Sequence, residues 1–211
     1  MMDRFIRAGT VAAVLGGLLL AVGAFLRLLP PHYEHFSDEV VTGTFAVSSA
    51  LRFAGAILMT WGLVAIHARQ ADRAGRLGLV AVAACLANMA LQGGWMFADL
   101  FIAPTFANDA AQVLDGDTPG RLAAAAIAAW FANSTFVLLG IATLKARVLP
   151  KICGIALIVA GACAMVPLPV DGPVFEVTIG IAFTVAGVRA RAVRGPARLA
   201  VETPTLSHPA A

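Results

Sequence analysis

Charge is what this sequence has least of: Lys, Arg, Asp and Glu make up 13% of its 211 residues, against roughly 25% in an ordinary soluble domain. With 60% hydrophobic residues beside it, that scarcity excludes a chain whose whole surface meets water. Cysteine is also sparse. Cys85, Cys153 and Cys163 lie inside apolar runs without CxxC spacing, which excludes a disulfide framework and a zinc site of the usual kind. Missing too are a Gly-rich phosphate loop, HExxH, GxSxG and a helix-borne pair of His ligands, so no cofactor is expected. The gaps between apolar runs are too short for a nucleotide-binding domain, which excludes ATP-driven transport by this chain alone. No basic face of a folded domain is present for nucleic acid, and no linker marks off a second domain.

What the sequence does have is six long apolar runs. They extend approximately from Phe5 to Leu29, Phe45 to His67, Leu77 to Ala103, Leu122 to Leu144, Ile152 to Leu168 and Val174 to Ala190. About 20 apolar residues at 1.5 Å each cross a hydrocarbon core of about 30 Å. Backbone groups in lipid must be bonded within the protein, which leaves helices or closed barrels. Barrel strands alternate apolar and polar residues; the stretch from Val11 to Val22 does not. The expected fold is therefore all-α, a polytopic six-transmembrane-helix bundle over residues 1–194, followed by a disordered cytoplasmic tail over 195–211 that contains Pro196, Pro204 and Pro209.

Basic residues orient such a bundle, because short cytoplasmic loops are enriched in them. Arg4 and Arg7 precede run one, Arg69, Arg73 and Arg76 follow run two, Lys145, Arg147 and Lys151 follow run four, and Arg189, Arg191, Arg194 and Arg198 follow run six. The remaining gaps hold Glu34, Asp38, Glu39, Asp109, Asp115, Asp117 and Asp171. Both termini are thus expected in the cytoplasm and the chain in a bacterial inner membrane. Run one has a competing reading as a signal peptide, with Ala21-Val22-Gly23 as a loose cleavage site, but it continues to Leu29 and stops at Pro30. The outer gaps, Pro30 to Thr44 and Pro104 to Gly120, read as turn-rich loops, and Pro169 to Pro173 as a tight joint between the last two helices. Arg76-Leu77 with Ala81, Ala83, Ala84, Ala87 and Asn88 matches Arg121-Leu122 with Ala126, Ala128, Ala129, Ala132 and Asn133 at an offset of 45; a repeat and a chance match of Ala-rich segments both fit.

Ionisable groups at membrane depth cost roughly 2.5–3.5 kcal/mol on insertion scales and usually face a bundle interior or a wet cavity. Arg52 is the clearest, with Ser48 and Ser49 one turn outward. Asn88, Gln92, Trp95 and Asp99 are spaced four, three and four apart, which predicts one helix face. Asn133, Ser134 and Thr135, below Trp130, and Glu176 complete the set. The candidate ligand-binding residues are Arg52, Asn88, Gln92, Asp99, Asn133 and Glu176, with Arg52, Asn88 and Asn133 expected at one height. Arg52 needs a partner: Asp99, Glu176 or a bound anion. Arg27 and His67 read as interfacial residues, and His32, Glu34 and His35 as a solvated loop in preference to a metal site.

Three functions fit this pattern. The first is binding or transport of a small, anionic solute in an outward-opening polar cavity; the second is a non-enzymatic membrane scaffold or accessory subunit with another membrane protein as partner. The third is an intramembrane enzyme on a lipid or isoprenoid substrate with Asp99 or Glu176 as acid. The segment Gly140-Ile-Ala-Thr-Leu-Lys-Ala-Arg-Val-Leu-Pro150-Lys-Ile-Cys-Gly154-Ile-Ala-Leu-Ile-Val-Ala-Gly161 resembles small uncharacterised bacterial multi-pass membrane proteins of the DUF4386-like group. There a helix ends in basic residues and a Gly-containing helix returns after a Leu-Pro turn. The resemblance implies a bacterial membrane protein and brings no activity or site residue with it.

Overall fold

A computed structural model describes residues 2–31, 33–116, 120, 124, 127, 128, 131–165 and 171–192. His32, Asp117, Trp130, much of the second copy of the offset-45 match, the first two residues of the joint at 169–173 and the tail lie outside them. All regular structure among the described residues is helical. The chain runs through α1 (Met2–Arg27), α2 (Phe36–Val40), α3 (Gly43–Phe97), a π-helical turn (Ala98–Ile102), α4 (Ala103–Asp109), α5 (Ala111–Asp115), α6 (Thr135–Ala146), α7 (Lys151–Cys163) and α8 (Asp171–Ala192). By length and composition, Arg4–Arg27, Gly43–Asp109 and Pro173–Ala192 can cross a membrane; α6 and α7 are shorter apolar helices.

The 55-residue α3 is two helices joined at Gly75, whose φ of 58° and ψ of −152° break the spiral. Glycine reaches that positive φ at little cost because it has no Cβ. The chain reverses there. Phe53 faces Phe97 and Phe101, and His67 lies beside Gly78, so segments 43–74 and 76–97 run antiparallel. The sequence placed the end of the first segment at His67, yet the helix continues two turns further. Residues 68–74, Ala-Arg-Gln-Ala-Asp-Arg-Ala, are mostly strong helix formers, and basic composition alone does not end a helix.

Two other breaks follow local chemistry. Pro104 cannot donate a backbone hydrogen bond and its ring crowds the carbonyl four residues back; the π-turn immediately before it absorbs this, with Ala103 N–H bonding to Ala98 O. The run expected to be one helix from residue 122 to 144 turns at Asn133-Ser134. Ser134 N–H bonds to Phe131 O and Phe136 N–H to Asn133 O, at 3.0 and 3.1 Å. Polar side chains that compete for nearby backbone groups favour such interruptions.

The elements close into a ring. Helix α1 packs on α3 and α8, α3 on α6, α6 on α7 and α7 on α8. Close approach between α1 and α3 depends on Gly16 and Gly55, since a Cβ on either would lie 2.8 Å from the other's carbonyl oxygen. Between helices in lipid no hydrophobic force exists, and such tight backbone contact supplies van der Waals energy instead. The core is filled by Leu20, Met59, Leu63, Met96, Phe136, Leu139, Ile179 and Phe183. Many large apolar side chains point outward, among them Leu15, Val22, Ile57, Leu79, Ile141 and Ile181. Helix α2 with α4 and α5 forms a cap at one end, where Ser37 N–H and Oγ donate to the Asp115 carboxylate at 2.9 and 2.5 Å. Those bonds hold the Asp115 carboxyl below the usual carboxylate range.

Candidate functional site

The acidic end of the bundle carries a chain of alternating charges. Arg52, nine residues into α3, presents Nε and Nη2 to the two Glu176 oxygens at 2.5 and 2.6 Å, and Nη1 to Asp99 Oδ2 at 3.0 Å. The three side chains are 5%, 8% and 9% exposed. A planar guanidinium matches a carboxylate bidentately, which makes this pairing geometrically specific as well as strong. Asp99 Oδ2 also stands 3.9 Å from Arg27 Nη1. Arg27, the last residue of α1, forks to Glu39 through Nε and Nη2 at 3.1 and 3.2 Å and lies 5.1 Å from the centre of the Phe45 ring.

Local structure positions each member. Gly23 leaves room for Arg52, because a Cβ there would meet Arg52 Cγ and Ser48 O at 2.8 Å. Ser48 Oγ donates to Gly23 O at 2.7 Å and fixes α1 against α3 beside the guanidinium. Ser49 is also buried. The π-turn sets the direction of Asp99, and such turns frequently occur at functional sites.

The amides form a second group. Asn133 Oδ1 accepts from Asn88 Nδ2 at 3.1 Å and from Gln92 Nε2 at 3.0 Å. Asn88 and Asn133, the equivalent positions of the offset-45 match, therefore touch. Cys85 Sγ donates to Thr135 O at 3.3 Å nearby. The expected common height of Arg52, Asn88 and Asn133 does not hold. Asn88 lies eleven residues from Asp99, about 16 Å along a helix, because the longer first segment of α3 moves its midpoint inward and leaves Arg52 in the acidic half. Among the described residues no hydrogen bond joins the two groups. Trp95 is also off the shared face, at 45% exposure; Met96 takes the buried place at 2%, since the inward stripe runs through buried 88, half-buried 92 and buried 96 and 99.

Sequence reasoning missed Arg27 and Glu39 as a pair. Each stands near a run's end, where an interfacial role accounts for it, and their twelve-residue separation has no helical meaning. Gln70, which donates to Thr143 Oγ1 at 3.3 Å toward the basic end, was hidden by lying in an assumed loop. Glu34 and His35 are exposed, and among the described residues no three His, Cys, Asp or Glu side chains converge to hold a metal.

A cavity of about 370 Å³ opens beside the ionic chain, lined by Arg27, Glu39, Tyr33, Phe45, Leu29 and Pro173 among others. This cavity, lined largely by apolar residues, and the six candidate residues are thus adjacent but distinct: Arg52, Asp99 and Glu176 lie behind Arg27, and the amides deeper. Comparison with family models, curated proteins and solved structures finds no significant match. Chemically, the site offers charged groups at its mouth and a buried ion-pair support behind them. Glu176 has both oxygens on Arg52, and Asp99 meets it through Oδ2.

Proposed function

We propose that the protein is a six-crossing integral membrane protein of a bacterial inner membrane, with cytoplasmic termini, that binds a small solute at its outer end. The observation that carries this reading is the cavity whose wall contains Arg27 and Glu39, the ends of an ionic chain reaching inward to Arg52 and Glu176. Its volume falls within the roughly 300–1,000 Å³ usual for ligand pockets. Buried ionic groups at membrane depth mark functional sites more often than packing devices. A thermal-shift screen of the purified protein against small charged and neutral metabolites tests it. A saturable stabilisation that Glu39→Gln weakens is expected; a screen without any stabilising solute would remove the proposal.

A scaffold reading draws on a different face. A Cβ on Gly93 or Gly94 would meet nothing within 4 Å, and Gly93 borders an apolar groove between the two segments of α3. Small residues on an open helix face permit close approach of another membrane helix. Recovery of one partner from native membranes, lost on Gly94→Leu, would favour it.

A further inference from the structure

We infer that the solute is a monovalent organic cation whose positive head group binds Glu39 and whose apolar body lies along Leu29 and Phe45. This rests on the solute-binding reading above and departs from the anion that Arg52 alone suggests. Three observations carry it.

First, Arg52 has no edge left for an anion. Its Nε, Nη1 and Nη2 each already face a carboxylate oxygen, and its side chain is 5% exposed. An anion approaching it would meet Asp99 and Glu176 first.

Second, the charges do not balance. Two guanidiniums, Arg27 and Arg52, face three carboxylates, Glu39, Asp99 and Glu176. Among these described side chains one negative charge is in excess, and at Asp99, 9% exposed, an uncompensated charge is costly. The groups facing Asp99 are Arg52 from α3 and Arg27 from α1, with Glu176 of α8 and Glu39 of α2 behind those guanidiniums.

Third, the head of Arg27 already rests where a cation would be held. Glu39 forks it, Phe45 lies 5.1 Å beneath it, and Asp99 stands 3.9 Å away. A carboxylate beside an aromatic face is a recognised setting for ammonium groups. Arg27 terminates α1 and is the most exposed of the two arginines, at 19%. An entering ammonium that takes its place on Glu39 lets Arg27 turn onto Asp99, closing the 3.9 Å gap. Every charge is then paired: the ligand with Glu39, Arg27 with Asp99, Arg52 with Glu176.

Three probes of one shape test this: cyclohexylammonium, cyclohexanecarboxylate and cyclohexanol, titrated calorimetrically into the full-length protein in nanodiscs, with empty nanodiscs as the baseline. Cyclohexylammonium should bind saturably at one per chain and the other two should not. Glu39→Gln should weaken it about tenfold or more, the worth of a hydrogen bond to a charged group. Arg27→Gln should strengthen it, because that change removes the competitor and leaves the site more negative. Preferential binding of the carboxylate, lost in Arg27→Gln, would overturn the cation while leaving a solute site in place. Binding of none of the three would count against the solute site itself. The wild-type comparison of the three probes decides the sign of the charge even if a variant fails to fold.

Discussion

Removing single members of the ionic chain should cost stability in an order fixed by what each removal strands. Arg52→Met leaves the Asp99 and Glu176 carboxylates, 9% and 8% exposed, without their main partner. Breaking a buried pair by removing one member costs about 3–5 kcal/mol, and here one cation serves two acids, so the expected loss is at least the upper end of that range. Against a total stability of about 5–15 kcal/mol, much of the fold's margin goes. Glu176→Gln keeps the shape and leaves Arg52 with Asp99; the loss is that of charge-assisted bonds, about 1.5–3 kcal/mol. Asp99→Asn leaves two intact forks, Arg27 with Glu39 and Arg52 with Glu176, and removes the surplus negative charge. Its effect should stay within about 1 kcal/mol, the net worth of an ordinary hydrogen bond. The assay is equilibrium unfolding in mixed micelles followed by far-ultraviolet circular dichroism, with Arg52→Met/Asp99→Asn/Glu176→Gln expected to regain much of the loss. If Asp99→Asn costs as much as Arg52→Met, the charge-balance reasoning is refuted.

Gly23→Val should destabilise by about 1–3 kcal/mol through overpacking and weaken the Ser48 tie, since even its Cβ meets Arg52 and Ser48 at 2.8 Å; the same unfolding assay reads it. In a cysteine-free background, a cysteine at Asp38 should react with a membrane-impermeant maleimide in intact cells and one at Arg73 only after lysis; the reverse pattern would invert the orientation. Asn133→Ala should cost about 0.6–1.7 kcal/mol, the range measured for hydrogen bonds between membrane helices, and little of that should remain once Asn88 and Gln92 are also Ala. The cap should loosen in acid: a carboxyl held below its usual value near 3.9 stabilises above that value and loses its contribution as pH falls through the folded one. The protection of the 36–40 amides against hydrogen exchange, taken relative to the intrinsic rate at each pH, should therefore fall on acidification, and Ser37→Ala should remove the dependence; an unchanged profile in the variant would refute the role of Asp115.

Much of the site was legible because membrane depth makes ionisable groups few. Arg52 had to find a partner, Asp99, Glu176 or a bound anion were the candidates, and both carboxylates are bonded to it. Arg27 and Glu39 escaped for the complementary reason: at the ends of apolar runs a charged side chain needs no partner to be explained, so the sequence contains no demand that they meet. Heights were misjudged because a basic gap was taken for a loop, whereas helix propensity carries the chain to Ala74 and only Gly75 turns it. Trp95 was misplaced because spacings of four, three, four and four, four, three both approximate 3.6 residues per turn, and packing on Met96 chose between them.

The polar groups form tiers down the bundle: Arg27 with Glu39, then Arg52 with Asp99 and Glu176, then Asn133 with Asn88 and Gln92, then Gln70 with Thr143. Apolar layers separate them. Buried Met96 lies between Gln92 and Asp99, and Phe136 contacts Phe175, the neighbour of Glu176; Leu139 lies between the amides and Thr143. Hydrogen bonds within a tier lower the cost of keeping polar groups out of water, and among the described residues no hydrogen bond links one tier to the next across these apolar layers. On the proposed reading, a solute held at the Arg27–Glu39 tier would sit above the Arg52 tier without disturbing the tiers beneath it. Passage to the basic end would require the Arg52 pairs to part, at an energetic cost of the same order as that of Arg52→Met. If the proposed cation binds Glu39, the charge it supplies to that tier would offset part of that cost, which would tie such binding to any parting of the Arg52 pairs.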